Sequence, residues 1–516
     1  MAELTGLTGS DRPFPPGDYP VLVIGSGPGA LQTSYSLGRL GVVHAVISAD
    51  PSPGGMFRRW PFFQRLLSWT KPYATAAPGS RGYERYDWNS LLGDTPETRA
   101  IQPSLMDGSS YFPSRPEMEA NLAAFAERAG VIVRYDTRWT GTRPDESGVG
   151  AARYVVETSD GEYRAQVLVV AVGVAEPRIP PGPGMEFAYH YADVRPAETY
   201  AGRCVFIVGK QNSGFELANG LLPWARQIVL ASPSHAKLSV DTRSLVGVRA
   251  RYVQPYEDHV LGGGVSILDA AIDQIDRVEG GDGAMAVQVR RTDGGGALAF
   301  EVDDVIAATG FVCPLLDLAD LGVATFGASK LPVQTPWWES ATAPGIHFAG
   351  TIGQGAKGLQ RHGMPSNSGA VHGARYNARL LASRIASTHL GIVAPRPAVA
   401  ADALVELIVR ELADAPELFH QRGYLARVLT LDPAAGLVDD GVQPLAHVLD
   451  AGGDDAIAVT LEADGSGAIY PVLFGRRRGA ITELAIDPDP LLRYDGPDTR
   501  SSVAAIVREL LPGLSV

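Results

Sequence analysis

Residues 21–41 constrain this chain more than any other stretch. Val21-Leu22-Val23-Ile24 is an unbroken aliphatic run, the pattern of a strand buried on both faces of a parallel sheet. Gly25-Ser26-Gly27-Pro28-Gly29-Ala30 follows at once, and Leu31 to Gly41 reads as a helix. A G-x-G-x-x-[GA] turn between a strand and a helix is a dinucleotide-binding turn. In that reading Gly25 makes the tight turn, Gly27 lets the backbone approach a pyrophosphate, and Ala30 lets helix and strand pack closely. Gly29 lies in the same turn. The free N–H groups and positive dipole end of the helix then face the phosphates.

The next strand is expected over Ala45-Val46-Ile47-Ser48. An acidic residue that binds a ribose hydroxyl usually ends this strand. Here Ser48 stands at that position and Asp50 follows two residues later, so either side chain is a candidate. Residues 51–115 lack clear periodicity and are rich in Pro, Gly and aromatic residues. A connection of that length in a compact domain is usually functional, and stacking beside a planar ring system would explain its aromatics. Gly55, Met56, Trp88 and Asn89 are the cofactor-facing candidates within it. A helix is expected from Tyr111 to Ala129, a strand over Val131–Tyr135, and a hairpin over 153–173 turning at Ser159-Asp160-Gly161.

A second strand–turn–helix begins at Cys204-Val205-Phe206-Ile207-Val208. Its turn is Gly209-Lys210-Gln211-Asn212-Ser213-Gly214, with Gln211 in place of the middle glycine. Two dinucleotide turns in one chain suggest one cofactor handing electrons to another. His235 and Lys237 after the following strand favour NADPH, with NADH the alternative. The strand ending at Ala308-Thr309-Gly310 reads as the return to the first domain. Gly345 to Gly350-Thr351 reads as another short strand, and a long helix follows from Val371. Pro395 and Pro397 mark a linker. The tail shows a helix near 402–414, a strand pair over Ala456–Glu462 and Ala468–Phe474, and a helix over 501–511, with no chemistry of its own.

The fold expected is therefore α/β, with two Rossmann-like dinucleotide-binding domains and a small C-terminal α+β extension. Residues 1–19 form a lead-in. An FAD domain occupies 20–195 and 313–392, an NAD(P)H domain is inserted at 196–312, and the extension covers 393–516. The net charge of -13 argues against nucleic acid or an anionic membrane as partner. No run of about 18 apolar residues is present, so no membrane-spanning helix is expected. The two cysteines, Cys204 and Cys313, form no Cys-x-x-Cys pair and suit a reducing cytoplasm. No metal-ligand spacing stands out among the ten histidines. Nothing in the sequence fixes the oligomeric state, and a homo-oligomer is possible.

The first turn, the G-x-x-N-S-G-x-E turn at Gly209–Glu216 and Ala308-Thr309-Gly310 resemble flavin-containing monooxygenases within the two-dinucleotide flavoproteins. Asp87-Trp88-Asn89-Ser90-Leu91-Leu92, Phe112-Pro113, Gly350-Thr351 and His372-Gly373-x-Arg375-Tyr376 are similar to the FAD-dependent oxidoreductase-domain proteins and to bacterial N-hydroxylases. The resemblance covers about residues 18–390. It implies FAD and NAD(P)H as cofactors, with Gly25, Gly27, Gly29, Ala30, Ser48, Asp50, Gly55, Met56, Trp88, Asn89, Gly209, Gln211, Asn212, Ser213, Gly214, Thr309, Gly310, Gly350 and Thr351 as their ligands. It further implies O2 as co-substrate, oxygen transfer from a C4a-(hydro)peroxyflavin, and a small amine or amino acid as substrate. A Baeyer–Villiger oxygenase, an NAD(P)H-dependent flavin reductase or oxidase, and a flavin-binding module are the alternatives. The histidine-containing monooxygenase signature is missing around Phe187–His190, and Thr70 stands where relatives have Asn before Lys71. Thr70 and Lys71 are thus the expected residues at the reactive centre, and Arg59 and Arg249 are among the candidate partners of a substrate carboxylate.

Overall fold

The computed structural model describes residues 12–148, 150–242, 247–280 and 283–512. Positions 1–11 of the expected lead-in lie outside the described residues. The chain divides into two units, one of residues 1–173 and 314–516, the other of 174–313.

In the first unit the principal elements are β1 (Asp18–Ile24), α1 (Pro28–Arg39), β2 (His44–Ile47), α2 (Arg115–Arg128), β3 (Trp139–Pro144), β4 (Tyr154–Thr158) and β5 (Gly161–Val170). The sheet order is β2-β1-β5-β4-β3. The aliphatic run of β1 is buried because parallel strands flank it on both sides, Val23 lying between Val46 and Val169. Ser114 and Glu117 form a reciprocal capping box that starts α2. The apolar run Val131–Val133 is not the strand expected. Val131 N–H closes onto Ala126 O at the end of α2, and Arg134 alone bridges to Ile47 of β2.

The second unit holds β6 (Tyr189–His190), β7 (Cys204–Val208), α3 (Asn212–Leu221), β8 (Gln227–Ser232), β9 (Val265–Arg277), β10 (Met285–Arg291), β11 (Ala297–Val302) and β12 (Asp304–Ala307). Its seven-stranded sheet runs β11-β10-β9-β8-β7-β12-β6. The unit starts at Val174 rather than 196, since β6 pairs in parallel with β12 and so belongs to this sheet.

The chain then returns to the first unit with β13 (Ile346–Phe348), which pairs with β5, and α4 (Val371–Leu390). The extension is larger in structure than its sequence suggests: α5 (Leu404–Asp414), α6 (Pro416–His420), β14 (Leu425–Asp432), β15 (Gly436–Pro444), β16 (Ala456–Ala463), β17 (Ile469–Arg477), β18 (Ala480–Ala485) and α7 (Pro497–Leu510). Its antiparallel sheet runs β15-β14-β16-β17-β18. The extension does not stand apart. Tyr424, Leu425 and Val442 pack into the same hydrophobic core as Val23, Ala30 and Trp338. No described helix is long and apolar enough to cross a membrane.

Candidate functional site

The two turns are built alike. Gly25 N–H donates to Ile47 O at 2.8 Å and Gly209 N–H to Ala231 O at 2.8 Å. Gly25 has φ +126° and Gly209 φ +119°, a region that disfavours any side chain. A Cβ on Gly25 would sit 2.5 Å from Ala171 O, and one on Gly209 would lie 3.1 Å from Ala308 C and closer to its oxygen. Ala171 and Ala308 thus cover the two turns in equivalent ways, each donating its N–H to the strand that leads into the turn.

At the first turn Gly27 caps α1, and no acidic residue occupies the first helical turn. The N–H groups of Gly29 and Ala30 lie where a helix offers them no internal acceptor. Ala30 is fully buried in the core with Val21 and Val23 of β1, and Gly29 packs on a second wall: a Cβ on Gly29 would lie 2.8 Å from Ala349 C and nearer still to Gly350 N and Cα. Gly55 closes the other side, its would-be Cβ 3.0 Å from Gly27 Cα, and Met56 Sδ lies 3.5 Å from that of Gly173. Ser48 is buried, its Oγ 2.8 Å from Ser26 Oγ and accepting from Asp50 N–H at 3.1 Å. The Asp50 carboxylate, 23 % exposed, accepts from Ser26 Oγ at 3.2 Å and lies 3.8 Å from Arg59. Gly25, Gly27, Gly29, Ala30, Ser48, Asp50, Gly55, Met56, Arg59 and Gly350 therefore share one place, and Thr351 follows Gly350 in a 3-10 turn. The glycine-lined cradle fits a dinucleotide: a Cβ on Gly27 would meet nothing nearer than 4.0 Å, and an acidic side chain stands just beyond β2.

Thr70 is fully buried. Its hydroxyl donates to Asp87 Oδ1 at 2.9 Å and accepts from Asn89 Nδ2 at 3.0 Å. The same Asp87 oxygen accepts the N–H groups of Asn89 and Ser90. Residues 69–71 and 86–88 run as a short antiparallel ladder, which stacks Trp69 on Trp88 at 4.7 Å and Trp88 on His372 of α4 at 4.2 Å. The Lys71 side chain is exposed and outside this network.

The residues that sequence reasoning missed sit behind the ladder. Arg375 is buried and donates to Ser90 O at 2.6 Å, Glu84 O at 3.1 Å and Tyr376 Oη at 3.0 Å. Tyr376 Oη in turn donates to Glu84 Oε2 at 2.7 Å. Burial pushes the Glu84 carboxyl pKa up, against the pull of Arg375. The extension holds this assembly from outside. His420 Nε2 donates to Glu84 O at 2.9 Å, Arg81 forms a fork with Glu411 at 2.7 and 2.8 Å, and Glu417 pairs with Arg81 and Arg379. Burial pushes the His420 imidazole well below its ordinary pKa, with His372 and Arg375 adding to it. The motif around His372 to Tyr376 signalled part of this; nothing local marked His420.

In the second unit Gln211 is exposed at the N-cap of α3, while Asn212 bonds Gly247 O and the Arg249 N–H at 3.1 Å each. Ser213 lies in the first turn of α3, and a Cβ on Gly214 would lie 3.2 Å from Gly209 C and closer to its oxygen. Lys210 is buried on Leu268 O and the Asp269 carboxylate, which His235 also meets. The Thr309 hydroxyl donates to Arg178 O, and Gly310 O accepts from His190 Nε2 at 2.9 Å. Thr309 and Gly310 thus belong to the second unit and not to the first turn.

A family model described as pyridine nucleotide-disulphide oxidoreductase matches residues 22–350. The chain belongs to that family. Family membership makes it a flavin-dependent oxidoreductase with a Rossmann-type fold. Mouse (Mus musculus) FAD-dependent oxidoreductase domain-containing protein 2 is 28% identical over 434 residues, covering 79% of this chain and 64% of its own. The chain therefore spans less than two thirds of that relative's length. Among solved structures, bacillithiol disulfide reductase from Bacillus cereus aligns with a TM-score of 0.54 at 21% identity, over 72% of this chain and 99% of its own. Ornithine N-hydroxylase from Kutzneria sp. 744 aligns with a TM-score of 0.52 at 17% identity, over 71% and 99%. At these identities the likeness is one of fold. Cys204 and Cys313 are free and buried.

Proposed function

We propose that this chain is an FAD- and NADPH-dependent monooxygenase that N-hydroxylates a small amine or amino acid. The observation that carries the reading is the pair of equivalent dinucleotide turns in a chain whose only two cysteines make no Cys-x-x-Cys pair and are free. Electrons passed from one dinucleotide to the other find no Cys-x-x-Cys disulfide in the chain to reduce, and O2 is an acceptor that suits a flavin. NADPH is favoured over NADH by His235 and Lys237 after β8, and a reducing cytoplasm suits the two thiols.

When bound, reduced FAD would supply the two electrons with which O2 gives one oxygen atom to a nucleophilic nitrogen and releases the other as water. The chain's own residues bind, orient and exclude water. Gly27, Gly29, Ala30 and Gly55 receive the pyrophosphate on backbone N–H groups, and Asp50, rather than the fully engaged Ser48, takes the ribose. Trp88 and His372 form an aromatic wall. Thr70, buried with its hydroxyl proton given to Asp87 and accepting from Asn89, fixes the ladder that carries Trp88, and Arg59 is the guanidinium at the first turn available to a substrate carboxylate. On the second unit Gly209, Gln211, Asn212, Ser213 and Gly214 receive NADPH.

The test is NADPH oxidation by the FAD-loaded protein against a panel of amino acids and amines, with hydroxylamine and nitro products assayed alongside. Product with one amine supports the reading. NADPH consumption that yields only hydrogen peroxide across the panel favours the oxidase alternative, and product from a ketone favours the Baeyer–Villiger one.

A further inference from the structure

Three side chains that the proposed reaction does not use converge at one place in the first unit. Glu339 lies just before β13, His347 lies in β13, and His389 lies in the last turn of α4. Their ligand atoms lie within 4.8 Å of one another. The two imidazole Nε2 atoms face each other at 3.4 Å. That is long for a hydrogen bond between rings, but it is the spacing of two ligand atoms on a tetrahedral ion with bonds of about 2.0–2.1 Å, roughly 3.3 Å. His347 is 1% exposed and its Nδ1 finds no partner. A buried imidazole Nε2 that makes no good hydrogen bond is costly by itself, and a metal ion on that atom would satisfy it.

We infer that Glu339, His347 and His389 form a divalent transition-metal site, with zinc the ion that best fits two imidazoles and one carboxylate. Arg153 and Arg384 are the cations facing the cluster; the Arg384 guanidinium lies over the Trp337 ring at 5.3 Å. Their charge opposes any cation. The two imidazole donors favour an ion that gains from nitrogen donation over magnesium and calcium, which prefer oxygen ligands. Glu339 is steadied by the Gly345 N–H at 2.8 Å, and it bridges to His347 through the backbone. The role is structural. β13 runs directly into Ala349 and Gly350, the wall against which Gly29 packs, so a metal here fixes one side of the cradle to the end of α4. No spacing in the sequence announces the site, because its residues come from three elements brought together by folding.

Tag-free full-length protein, stripped with chelator and dialysed against zinc chloride, tests this by elemental analysis. One zinc per chain is expected, together with a raised thermal midpoint and, with cobalt(II), the intense visible bands of a four-coordinate ion. His389→Gln, a half-buried position that keeps the fold by circular dichroism, loses the zinc. Glu339→Gln weakens binding by about tenfold or more, and His235→Ala, on an exposed imidazole of the second unit, retains it. Wild-type protein without stoichiometric zinc, or His389→Gln binding as wild type does, overturns the site.

Discussion

Gly29→Ala and Gly27→Ala, two neighbouring substitutions of the same chemistry, should fail in different ways. The Gly29 Cβ would meet backbone only: Ala349 C at 2.8 Å, with Gly350 N and Cα nearer still. Contact distance for carbon is about 3.5 Å or more, so α1 and the 349–350 segment must part by on the order of 1 Å. No rotamer relieves backbone against backbone. Overpacking of a tight core costs about 1–3 kcal/mol, and this case belongs at or beyond the upper end. Gly27 has φ -76°, which any residue adopts, and its Cβ would meet nothing nearer than Gly55 Cα at 4.0 Å. Gly27→Ala should therefore change stability of the flavin-free protein by no more than about 0.5 kcal/mol and yet weaken FAD binding, because the methyl group projects where the phosphates pass. Urea unfolding of flavin-free protein and titration with FAD separate the two effects. Gly38→Ala is the control: it lies within α1 with nothing within 4 Å and should stabilise by up to about 1 kcal/mol. Equal stability for Gly29→Ala and Gly27→Ala, or unchanged FAD affinity in Gly27→Ala, would refute the assignment of packing to one glycine and phosphate approach to the other.

Three further outcomes follow from the ladder and its supports. Thr70→Val keeps the shape but leaves Asn89 Nδ2 buried without its acceptor, which should cost about 1–3 kcal/mol in denaturant unfolding and raise the share of NADPH diverted to peroxide. His420→Ala removes one of the two donors to Glu84 O, leaving Arg375 alone, and takes away the ring packed against Trp88; the visible circular dichroism of bound flavin should change, and His420→Asn should restore part of it. At Glu417, burial pushes the carboxyl pKa up, but Arg379 and Arg81 outweigh it and leave it below 4.5. Its stabilisation is thus complete above that value and lost as pH falls through the depressed one. Glu417→Gln should cost about 2–3 kcal/mol at pH 7, less than a wholly buried pair because Arg81 is 37% exposed. The gap from wild type should close on acidification, as unfolding curves across pH will report.

Legibility in the sequence followed the range of the interactions. The first turn could be read because strand, glycine spacing and helix lie within twenty-odd contiguous residues, and each has a local physical reason. The packing of Ala30 on β1 could be read locally; the close approach at Gly29 could not, since the wall it meets is Gly350, far along the chain. Val131–Val133 has the composition of a strand, but its first N–H is spent on the end of α2 and Ile132 is 55% exposed. β14 and β15 went unread because both faces of β14 are largely buried, which erases the alternation that reveals a half-exposed strand. His420 was invisible for the same kind of reason: its partner is the Glu84 carbonyl, and no local pattern encodes a contact between distant segments.

On the proposed function, the first unit activates O2 and transfers one of its atoms to an amine. Turnover under 18O2 with NADPH and the amine selected from the panel tests it most directly, read by mass spectrometry of the product. One labelled oxygen in the hydroxylamine, with NADPH and O2 consumed in equal amounts, is the predicted result. An unlabelled product, with all of the label in hydrogen peroxide, would contradict it.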